Sequence, residues 1–379
     1  MPQKTERNSN IELLRCVAMF MIILYHIVCH CVNVQLTDMN SIHRMNNGLF
    51  NHPLFYKKLL ILDVMNTFGI IGNVIFILIS GYFMVPKGKH INLVKISKKL
   101  LGQLGFAAAV LTIASTACFC MKRGTFLNLA NIQAFNSMSW FAGYYFAVIL
   151  TAVLFLNDFL AKLDDRHYTA FLIVLFAFVQ LGWTGALADG LIPSLRTLLN
   201  GIFLYALGGG LNRYGLLRRV RLYVLFLAIA VTYFFVILSA YNQTQNNIQN
   251  YIRNNSEGEF LQSIPGFSNY SIVVIIIGVC MFEIFRRIRI PQMKLLNYMG
   301  KATFMCYLIH DNGFFYSIWD TQDWITLLYY HPDKFLCKIF VWALAVFVCG
   351  VAVYTLYIAL MKLSAKCRRI FLVTNEYRQ

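Results

Sequence analysis

Charged residues are scarce in this sequence, and acidic residues are the scarcest of them. Asp and Glu together account for 16 of 379 residues, and charged residues of both signs make up only 13%. Hydrophobic residues make up 59%, and the mean hydropathy is +0.60. Because a soluble globular domain carries about 25% charged residues, this composition excludes one and indicates a polytopic membrane protein.

Long polar segments, C-x-x-C motifs and clear internal repeats are also absent. Without a long polar segment we expect no separate soluble domain, so residues 1–379 are predicted to form a single integral-membrane domain. The ten cysteines lie mostly within or at the ends of apolar runs, which argues against a disulfide framework or a zinc ribbon. No repeat is strong enough to predict an inverted-repeat transporter.

Ten apolar runs of about 20 residues predict an all-α membrane bundle with about ten transmembrane helices. The predicted spans are 11–32, 61–84, 100–120, 139–160, 168–187, 195–211, 222–241, 270–286, 302–319 and 335–361. The first run resembles a signal peptide only superficially, because it contains Arg15 and no small-x-small cleavage site ends it. We therefore expect it to be retained as a membrane helix.

The net charge of +17 does not indicate a nucleic-acid partner, because the basic residues follow the predicted topology. With a cytoplasmic N-terminus, the inner segments hold 23 of the 33 Lys and Arg residues. This asymmetry is the positive-inside pattern, and it also places basic residues against anionic membrane lipid. We expect a multi-pass protein with both termini in the cytoplasm and no nucleic-acid partner.

The first span carries ionisable residues at membrane depth, where they are costly and seldom lack a partner or a task. Glu12 and Arg15 are three residues apart and can neutralise one another. His26 lies eleven residues after Arg15, which places both within roughly 20° of one helix face and about 16 Å apart along the axis. An imidazole at this depth is a candidate general base for a hydroxyl acceptor.

A metal site is the alternative for this part of the span. His26 and His30 are one turn apart and Cys29 is close, so the two histidines are possible metal ligands. No third ligand occurs at a telling spacing, and we therefore expect no metal.

Later motifs permit both structural and functional interpretations. Ser80 and Gly81, near the inner end of the second span, favour close helix packing. Trp140 opens the fourth span, as is typical of an interfacial aromatic belt. Three roles are open for His310 and Asp311 in the ninth span. The pair could orient a catalytic histidine, relay protons, or form a buried polar cluster whose hydrogen bonds are all made.

In their order along the chain these motifs resemble the acyltransferase type 3 family, bacterial integral-membrane enzymes that O-acylate cell-surface glycans. The resemblance covers essentially the whole chain. The matching motifs are Glu12-Leu-Leu-Arg15 with His26 after ten more residues, Phe76-x-x-x-Ser80-Gly81-Tyr82 with a basic stretch after it, Trp140-Phe141, and Tyr307-Leu308-Ile309-His310.

The resemblance implies an O-acyltransferase, expected to be an O-acetyltransferase, in the bacterial cytoplasmic membrane. It implies transfer from acetyl-CoA, or another short acyl-CoA, in the cytoplasm to a hydroxyl of an extracytoplasmic polysaccharide. The catalytic residues expected on this basis are Arg15, His26 and His310. The residues expected to bind the acyl-CoA are Arg15, Lys95, Lys98, Lys99, Ser80, Gly81 and Tyr82, and those expected to bind the acceptor are Trp140 and Asp311.

One departure from the family pattern concerns the basic stretch. The family commonly has Arg-x-x-Arg after the Ser-Gly-Tyr motif, whereas this chain has Lys95-x-x-Lys98 and Lys99. Lysine meets a phosphate as a point charge but lacks the bidentate fork of arginine, so these lysines would hold a phosphate without the paired hydrogen bonds of the family's arginines.

A multispan transporter or flippase of a lipid-linked glycan or small solute fits the composition equally well. The ordered motif set, and the lack of paired broken helices in corresponding halves, favour the acyltransferase. Two arrangements stay open for the last step of transfer: the helical bundle suffices, or a separate extracytoplasmic partner protein completes it.

Overall fold

The computed structural model describes residues 8–37, 55–121, 140–181, 195–254 and 271–376. Within these ranges the secondary structure is helical and contains no strand, which confirms the predicted all-α class. The α-helices, numbered in chain order, are α1 Ser9–Ile27, α2 Asn33–Thr37, α3 Phe55–Asn66, α4 Phe68–Met84, α5 Leu93–Cys120, α6 Trp140–Thr151, α7 Asn157–Lys162, α8 Asp165–Gln180, α9 Leu195–Arg213, α10 Leu222–Asn254, α11 Ile272–Arg287, α12 Lys294–His310, α13 Gly313–Trp319, α14 Trp324–Tyr330 and α15 Pro332–Glu376. Two π-helical turns, Val28–Val32 and Ala152–Leu156, follow α1 and α6, and a 3-10 turn, Val85–His90, follows α4.

Six helical stretches in the described ranges are long and apolar enough to cross a membrane. They are Ser9–Leu36, Lys57–Gly88, Leu93–Cys120, Trp140–Lys162, Leu222–Gln243 and Pro332–Cys367. Each overlaps one of the ten predicted spans. The other four predicted spans fall on α8, α9, α11 and the pair α12 and α13, and residues 182–187 of the span 168–187 lie outside the described residues. Helices α8, α11 and α12 have 16, 16 and 17 residues, slightly fewer than the roughly 20 that a membrane crossing needs, and α9 has 19.

Helix α1 lies at the centre of the bundle, where it contacts α4, α11, α12 and α15. Its N-terminus is capped by the Asn8 side chain, which accepts a hydrogen bond from the backbone N–H of Asn10 at 3.1 Å. Polar side chains then fix this end to the connection between α11 and α12. The Ser9 hydroxyl accepts from the Met293 N–H at 3.0 Å, and Asn10 Oδ1 accepts from the Ile290 N–H at 3.1 Å. These contacts set the register of α1 against α12.

Helices α4 and α9 pack with their backbones in close approach, and glycine makes this possible. A Cβ atom added to Gly81 would lie 1.9 Å from the Tyr205 carbonyl oxygen, and one added to Gly208 would lie 2.3 Å from the Leu78 carbonyl oxygen. The Ser80 hydroxyl donates back to the Phe76 carbonyl at 2.9 Å. The predicted role of Ser80 and Gly81 in close helix packing is confirmed.

The predicted span over 302–319 is two helices in the structure. Helix α12 ends at His310, Asp311 leaves the helical conformation with φ −96° and ψ 77°, and α13 begins at Gly313. The Asn312 side chain accepts a hydrogen bond from the Phe315 N–H at 3.4 Å and so caps the second helix. Asp and Asn side chains compete with helical backbone bonding, which accounts for the break.

The Asn- and Gln-rich stretch after the seventh predicted span also differs from expectation. The predicted spans end at residue 241 and resume at residue 270, which predicts an outer connection over 242–269. Helix α10 instead continues to Asn254. Residues 255–270 lie outside the described residues.

All ten cysteines lie in the described part of the chain, and each is a free thiol. The expectation that the chain has no disulfide framework is confirmed.

Candidate active site

Two histidines from distant parts of the chain meet inside the bundle. His26, near the end of α1, and His310, the last residue of α12, place Nδ1 and Nε2 respectively 2.6 Å apart. His310 is fully buried and His26 is 8% exposed. The sequence predicts both residues as catalytic candidates, and the structure brings them into direct contact.

A backbone carbonyl determines how this histidine pair is protonated. His310 Nδ1 lies 2.6 Å from the carbonyl oxygen of Tyr307, and because a carbonyl only accepts, Nδ1 carries a hydrogen. When both rings are neutral, His310 Nε2 is then an acceptor and His26 Nδ1 must donate to it. The remaining nitrogen, His26 Nε2, keeps its lone pair. In this neutral state the pair presents one oriented nitrogen without a hydrogen.

The free nitrogen of His26 faces the break between α12 and α13. His26 Nε2 lies 3.7 Å from Asp311 Oδ2, and the Asp311 side chain is 8% exposed. The Tyr316 hydroxyl donates a hydrogen bond to Asp311 Oδ1. A carboxylate in this position can stabilise the imidazolium that forms when His26 takes up a proton. The helix break thus supplies an anion next to the candidate base.

His30 completes the group of polar side chains. It lies in the π-helical turn Val28–Val32, and such turns are frequent at functional sites. Its ring stacks on His26 with centroids 5.5 Å apart and on Tyr316 with centroids 4.5 Å apart. His30 Nε2 lies 3.8 Å from Asp311 Oδ1, and its side chain is 39% exposed. His26, His30 and Asp311 therefore form one cluster whose His30 side is open.

Tyr307 adds a donor to the same region. Its side chain is 5% exposed, and its hydroxyl lies near the backbone N–H of Phe141 but has no acceptor for its own hydrogen among the described residues. Its ring packs on the His310 ring, with centroids 5.3 Å apart, and on Phe141 at 5.6 Å. A buried hydroxyl whose hydrogen has no acceptor is costly. Sequence reasoning did not single out Tyr307, although it opens the motif that ends at His310.

Arg15 is separate from the histidine cluster. Its Nη1 lies 3.4 Å from Glu12 Oε1, so the predicted pairing within the helix is present. Glu12 is nearly buried because it packs on Gly300 of α12, where an added Cβ would meet Glu12 Oε2 at 2.1 Å. Arg15 and His26 occupy one uninterrupted α-helix, and eleven residues of helical rise separate them by about 16 Å.

The predicted lysines lie in the first two turns of α5. Lys95, Lys98 and Lys99 are all exposed, and Lys98 borders an open groove of about 440 Å³ between α5 and α15. The groove is lined by Lys98, Gly102, Phe106, Tyr357, Leu360, Met361 and Ser364. It combines one cation with aromatic and apolar walls.

The Ser80–Gly81–Tyr82 motif is engaged with neighbouring helices. Besides its bond to the backbone, the Ser80 hydroxyl lies 2.7 Å from the Tyr145 hydroxyl. The Tyr82 carbonyl accepts from Asn212 at 2.6 Å. These contacts give the motif a structural role in joining α4 to α6 and α9, and its role in binding the acyl-CoA stays a prediction.

Trp140 lies at the start of α6 and is 42% exposed. It packs on Phe141 and Tyr144, with ring centroids 5.9 Å away in each case. Phe141 in turn packs on Tyr307, and Tyr307 packs on His310, so a single side chain separates the start of α6 from the histidine pair. The predicted role of Trp140 in binding the acceptor stays a prediction.

Comparison with known proteins identifies the family to which the chain belongs. The profile of the acyltransferase domain family matches residues 8–369, which is nearly the whole chain. No curated protein and no solved structure matches it significantly. The matched range includes every residue of the histidine cluster and the groove beside Lys98. The chain therefore belongs to the acyltransferase type 3 family and is a membrane acyltransferase.

Proposed function

We propose that this acyltransferase moves an acyl group, most simply acetyl, from cytoplasmic acyl-CoA to a hydroxyl of an extracytoplasmic cell-surface polysaccharide. The observation that carries the proposal is the contact of His26 Nδ1 with His310 Nε2, which leaves the lone pair of His26 Nε2 beside Asp311 when both rings are neutral. His26 lies on the same helix as Arg15, so one helix connects a cationic end with a basic nitrogen deeper in the bundle. The basic inner segments support Arg15 as the cytoplasmic, donor-side end.

The proposed chemistry is general base catalysis. An acceptor hydroxyl approaches His26 Nε2, which takes its proton as the oxygen attacks the thioester carbon. The imidazolium that forms is stabilised by Asp311 and keeps its Nδ1–H bond to His310. Collapse of the tetrahedral intermediate breaks the carbon–sulfur bond, and His26 returns the proton to the leaving thiolate. The ester and free coenzyme A are the products.

The position of Asp311 favours a base over an acyl carrier. If His26 Nε2 attacked the thioester itself, negative charge would develop on the carbonyl oxygen close to the Asp311 carboxylate. Like charges in a poorly solvated site repel strongly. In the general-base step, Asp311 instead faces a developing positive charge on the ring.

The tetrahedral intermediate needs a hydrogen-bond donor for its oxyanion. The Tyr307 hydroxyl donates to no residue in the described ranges, and its ring packs on His310. We assign it this role. The cost of burying this donor is then offset when the reaction supplies an acceptor.

The donor side of the proposal uses Arg15, Lys95, Lys98 and Lys99. The groove beside Lys98 offers a cation for a phosphate and aromatic walls for a flat ring. An extended pantetheine arm is on the order of the 16 Å that separates Arg15 from His26. Ser80, Gly81 and Tyr82 are proposed to line this path. No metal takes part in the transfer step.

The acceptor side uses Asp311 and Trp140. Asp311 accepts from a sugar hydroxyl next to the one that reacts, and Trp140 offers an exposed aromatic face on which a sugar can pack. A glycan acceptor agrees with polar, partly open surroundings of His30. The protein would act in the bacterial cytoplasmic membrane, surrounded by lipid, alone or with a separate extracytoplasmic partner protein.

The proposal is tested with the purified protein in lipid vesicles, acetyl-CoA labelled on the acetyl group, and cell-surface polysaccharide as acceptor. Label that appears in the polysaccharide as a base-labile ester supports O-acyl transfer. A transporter or flippase would move a lipid-linked glycan between leaflets without consuming acetyl-CoA. Glycan movement without label transfer would therefore contradict the proposal.

A further inference from the structure

His26, His30 and Asp311 present three ligand atoms to a common space. Two imidazole nitrogens and one carboxylate oxygen all lie within 4.8 Å of one another. The sequence alone showed the two histidines but no third ligand near them. The break after α12 supplies Asp311, which lies far from both histidines in the sequence.

Only small side-chain movements are needed for these three residues to bind a metal ion. Three atoms no more than 4.8 Å apart all lie within about 2.8 Å of one point, whereas Zn²⁺ binds nitrogen and oxygen at about 2.0–2.2 Å. Each ligand atom therefore needs to move by less than about 1 Å. His26 and Asp311 are largely buried, and the His30 ring, which is 39% exposed, is stacked on His26 and Tyr316 with its Nε2 already 3.8 Å from Asp311 Oδ1. The open side at His30 also gives an ion a way in and leaves a coordination position for water.

The surroundings fix the ligand atoms as a metal site requires. His26 donates its Nδ1–H to His310, which leaves Nε2 as the ligand atom. The Tyr316 hydroxyl donates to Asp311 and orients its carboxylate. Hydrogen bonds of this kind to the outer side of histidine and carboxylate ligands are typical of protein metal sites. The two nitrogen donors favour Zn²⁺ over Mg²⁺ or Ca²⁺, which prefer oxygen.

We propose that His26, His30 and Asp311 bind Zn²⁺ and that the bound ion inhibits acyl transfer. Inhibition follows because the ion occupies the lone pair of His26 Nε2 and the carboxylate that stabilises the imidazolium. The binding claim stands on the geometry of the three residues. The inhibition claim rests on the function proposed above.

The binding claim is tested by equilibrium dialysis of the purified full-length protein against Zn²⁺, with bound metal measured by mass spectrometry. The ten free cysteines are competing ligands, so the comparison between variants is the readout. We expect His30→Ala and Asp311→Asn each to weaken the tightest zinc site at least tenfold. Two controls are expected to keep that site: Cys29→Ser, which removes the neighbouring thiol, and His167→Ala, which removes an exposed histidine 2.7 Å from Asp164.

A second measurement guards against variants that fail to fold. Zn²⁺ should raise the thermal unfolding midpoint of the wild type and of His167→Ala, because a ligand bound only by the folded state stabilises it. It should not raise the midpoint of His30→Ala. Equal zinc affinity in the wild type and His30→Ala, or equal loss in His167→Ala, would overturn the binding claim.

The inhibition claim is tested by measuring acyl transfer against free Zn²⁺ in the wild type. Half-inhibition is expected at the zinc concentration that half-fills the site, and a chelator should restore activity. Full transfer by zinc-saturated protein would overturn inhibition. Absence of zinc binding with normal transfer would overturn this inference alone. Absence of transfer by metal-free protein that still binds zinc would contradict the proposed function, and with it the inhibition claim, but would leave the binding claim standing.

Discussion

His26 Nδ1 lies 2.6 Å from His310 Nε2, and the Tyr307 carbonyl holds the far nitrogen of His310. This arrangement joins α1 to α12 and turns the lone pair of His26 Nε2 toward Asp311. A histidine whose second nitrogen is held by a hydrogen bond has a fixed tautomer and a fixed ring orientation. The contact is therefore the feature on which the proposed base depends.

Replacing His310 should lower kcat by removing the partner of His26. In His310→Ala, His26 is free to place its hydrogen on Nε2, and we expect kcat to fall by roughly 100-fold. His310→Gln retains a side-chain oxygen that can accept from His26 Nδ1, so it should recover part of the activity. Steady-state transfer assays measure both. Equal activity of the alanine and glutamine variants would mean that this hydrogen bond does not orient the base.

Removing the Tyr307 hydroxyl should affect catalysis and not stability. Tyr307→Phe deletes a buried hydroxyl that donates to none of the residues the structure describes, so the free energy of unfolding should change little. If the hydroxyl donates to the oxyanion, kcat should fall by about 100-fold. The measurements are transfer assays and thermal unfolding in detergent.

Tyr168→Phe is the matched control, because the Tyr168 hydroxyl is buried but donates to the Ala206 carbonyl at 2.7 Å. It should lose about 1 kcal/mol of stability and keep its kcat. The account of Tyr307 would be contradicted if Tyr307→Phe behaved in the same way.

The close contact between α4 and α9 should make Gly81 intolerant of any side chain. The Cβ of Gly81→Ala would lie 1.9 Å from the Tyr205 carbonyl oxygen, so the helices must move apart. We expect a loss of about 3 kcal/mol in stability and a lower unfolding midpoint. Gly105→Ala is the control, since a Cβ there meets nothing within 4 Å. An unchanged midpoint for Gly81→Ala would show that this packing is not required.

Lys98 should contribute to donor affinity through its charge beside the groove. Lys98→Ala should raise KM for acyl-CoA about fivefold, or about 1 kcal/mol, with kcat little changed. The effect should shrink at high salt because the contact is exposed. Lys162→Ala, at the end of α7 and also exposed, is expected to leave KM unchanged. Equal effects of the two variants would assign the change to overall charge and not to the groove.

The helices could be predicted from the sequence to the extent that they depend on long apolar runs. Helix α1, predicted over 11–32, covers Ser9–Ile27 and continues through a π-helical turn. The break after His310 could not be predicted in this way, because hydropathy averaged over a span hides three consecutive polar residues. The break forms because the Asp311 and Asn312 side chains compete with the hydrogen bonds of the helix backbone.

Individual site residues were easier to predict than their contacts. The sequence predicts His26, His310 and Asp311 as site residues because ionisable groups at membrane depth are costly and are usually paired or functional. The contact between His26 and His310 joins positions 284 residues apart, and only tertiary packing creates it. The sequence shows His30 one helical turn from His26. The position of Asp311 beside both histidines depends on the helix break and could not be predicted. The roles of Tyr307 and Tyr316 follow from burial and hydrogen bonding alone.

The most direct test of the account compares wild-type protein and His26→Ala, at equal levels in the membrane, for transfer of labelled acetyl from acetyl-CoA to cell-surface polysaccharide. The control is His167→Ala, which removes an exposed histidine that pairs with Asp164. We predict full transfer by the wild type and the control, and transfer by His26→Ala reduced by 100-fold or more, as expected when a general base is removed. Normal transfer by His26→Ala would contradict the central claim that this histidine is the base.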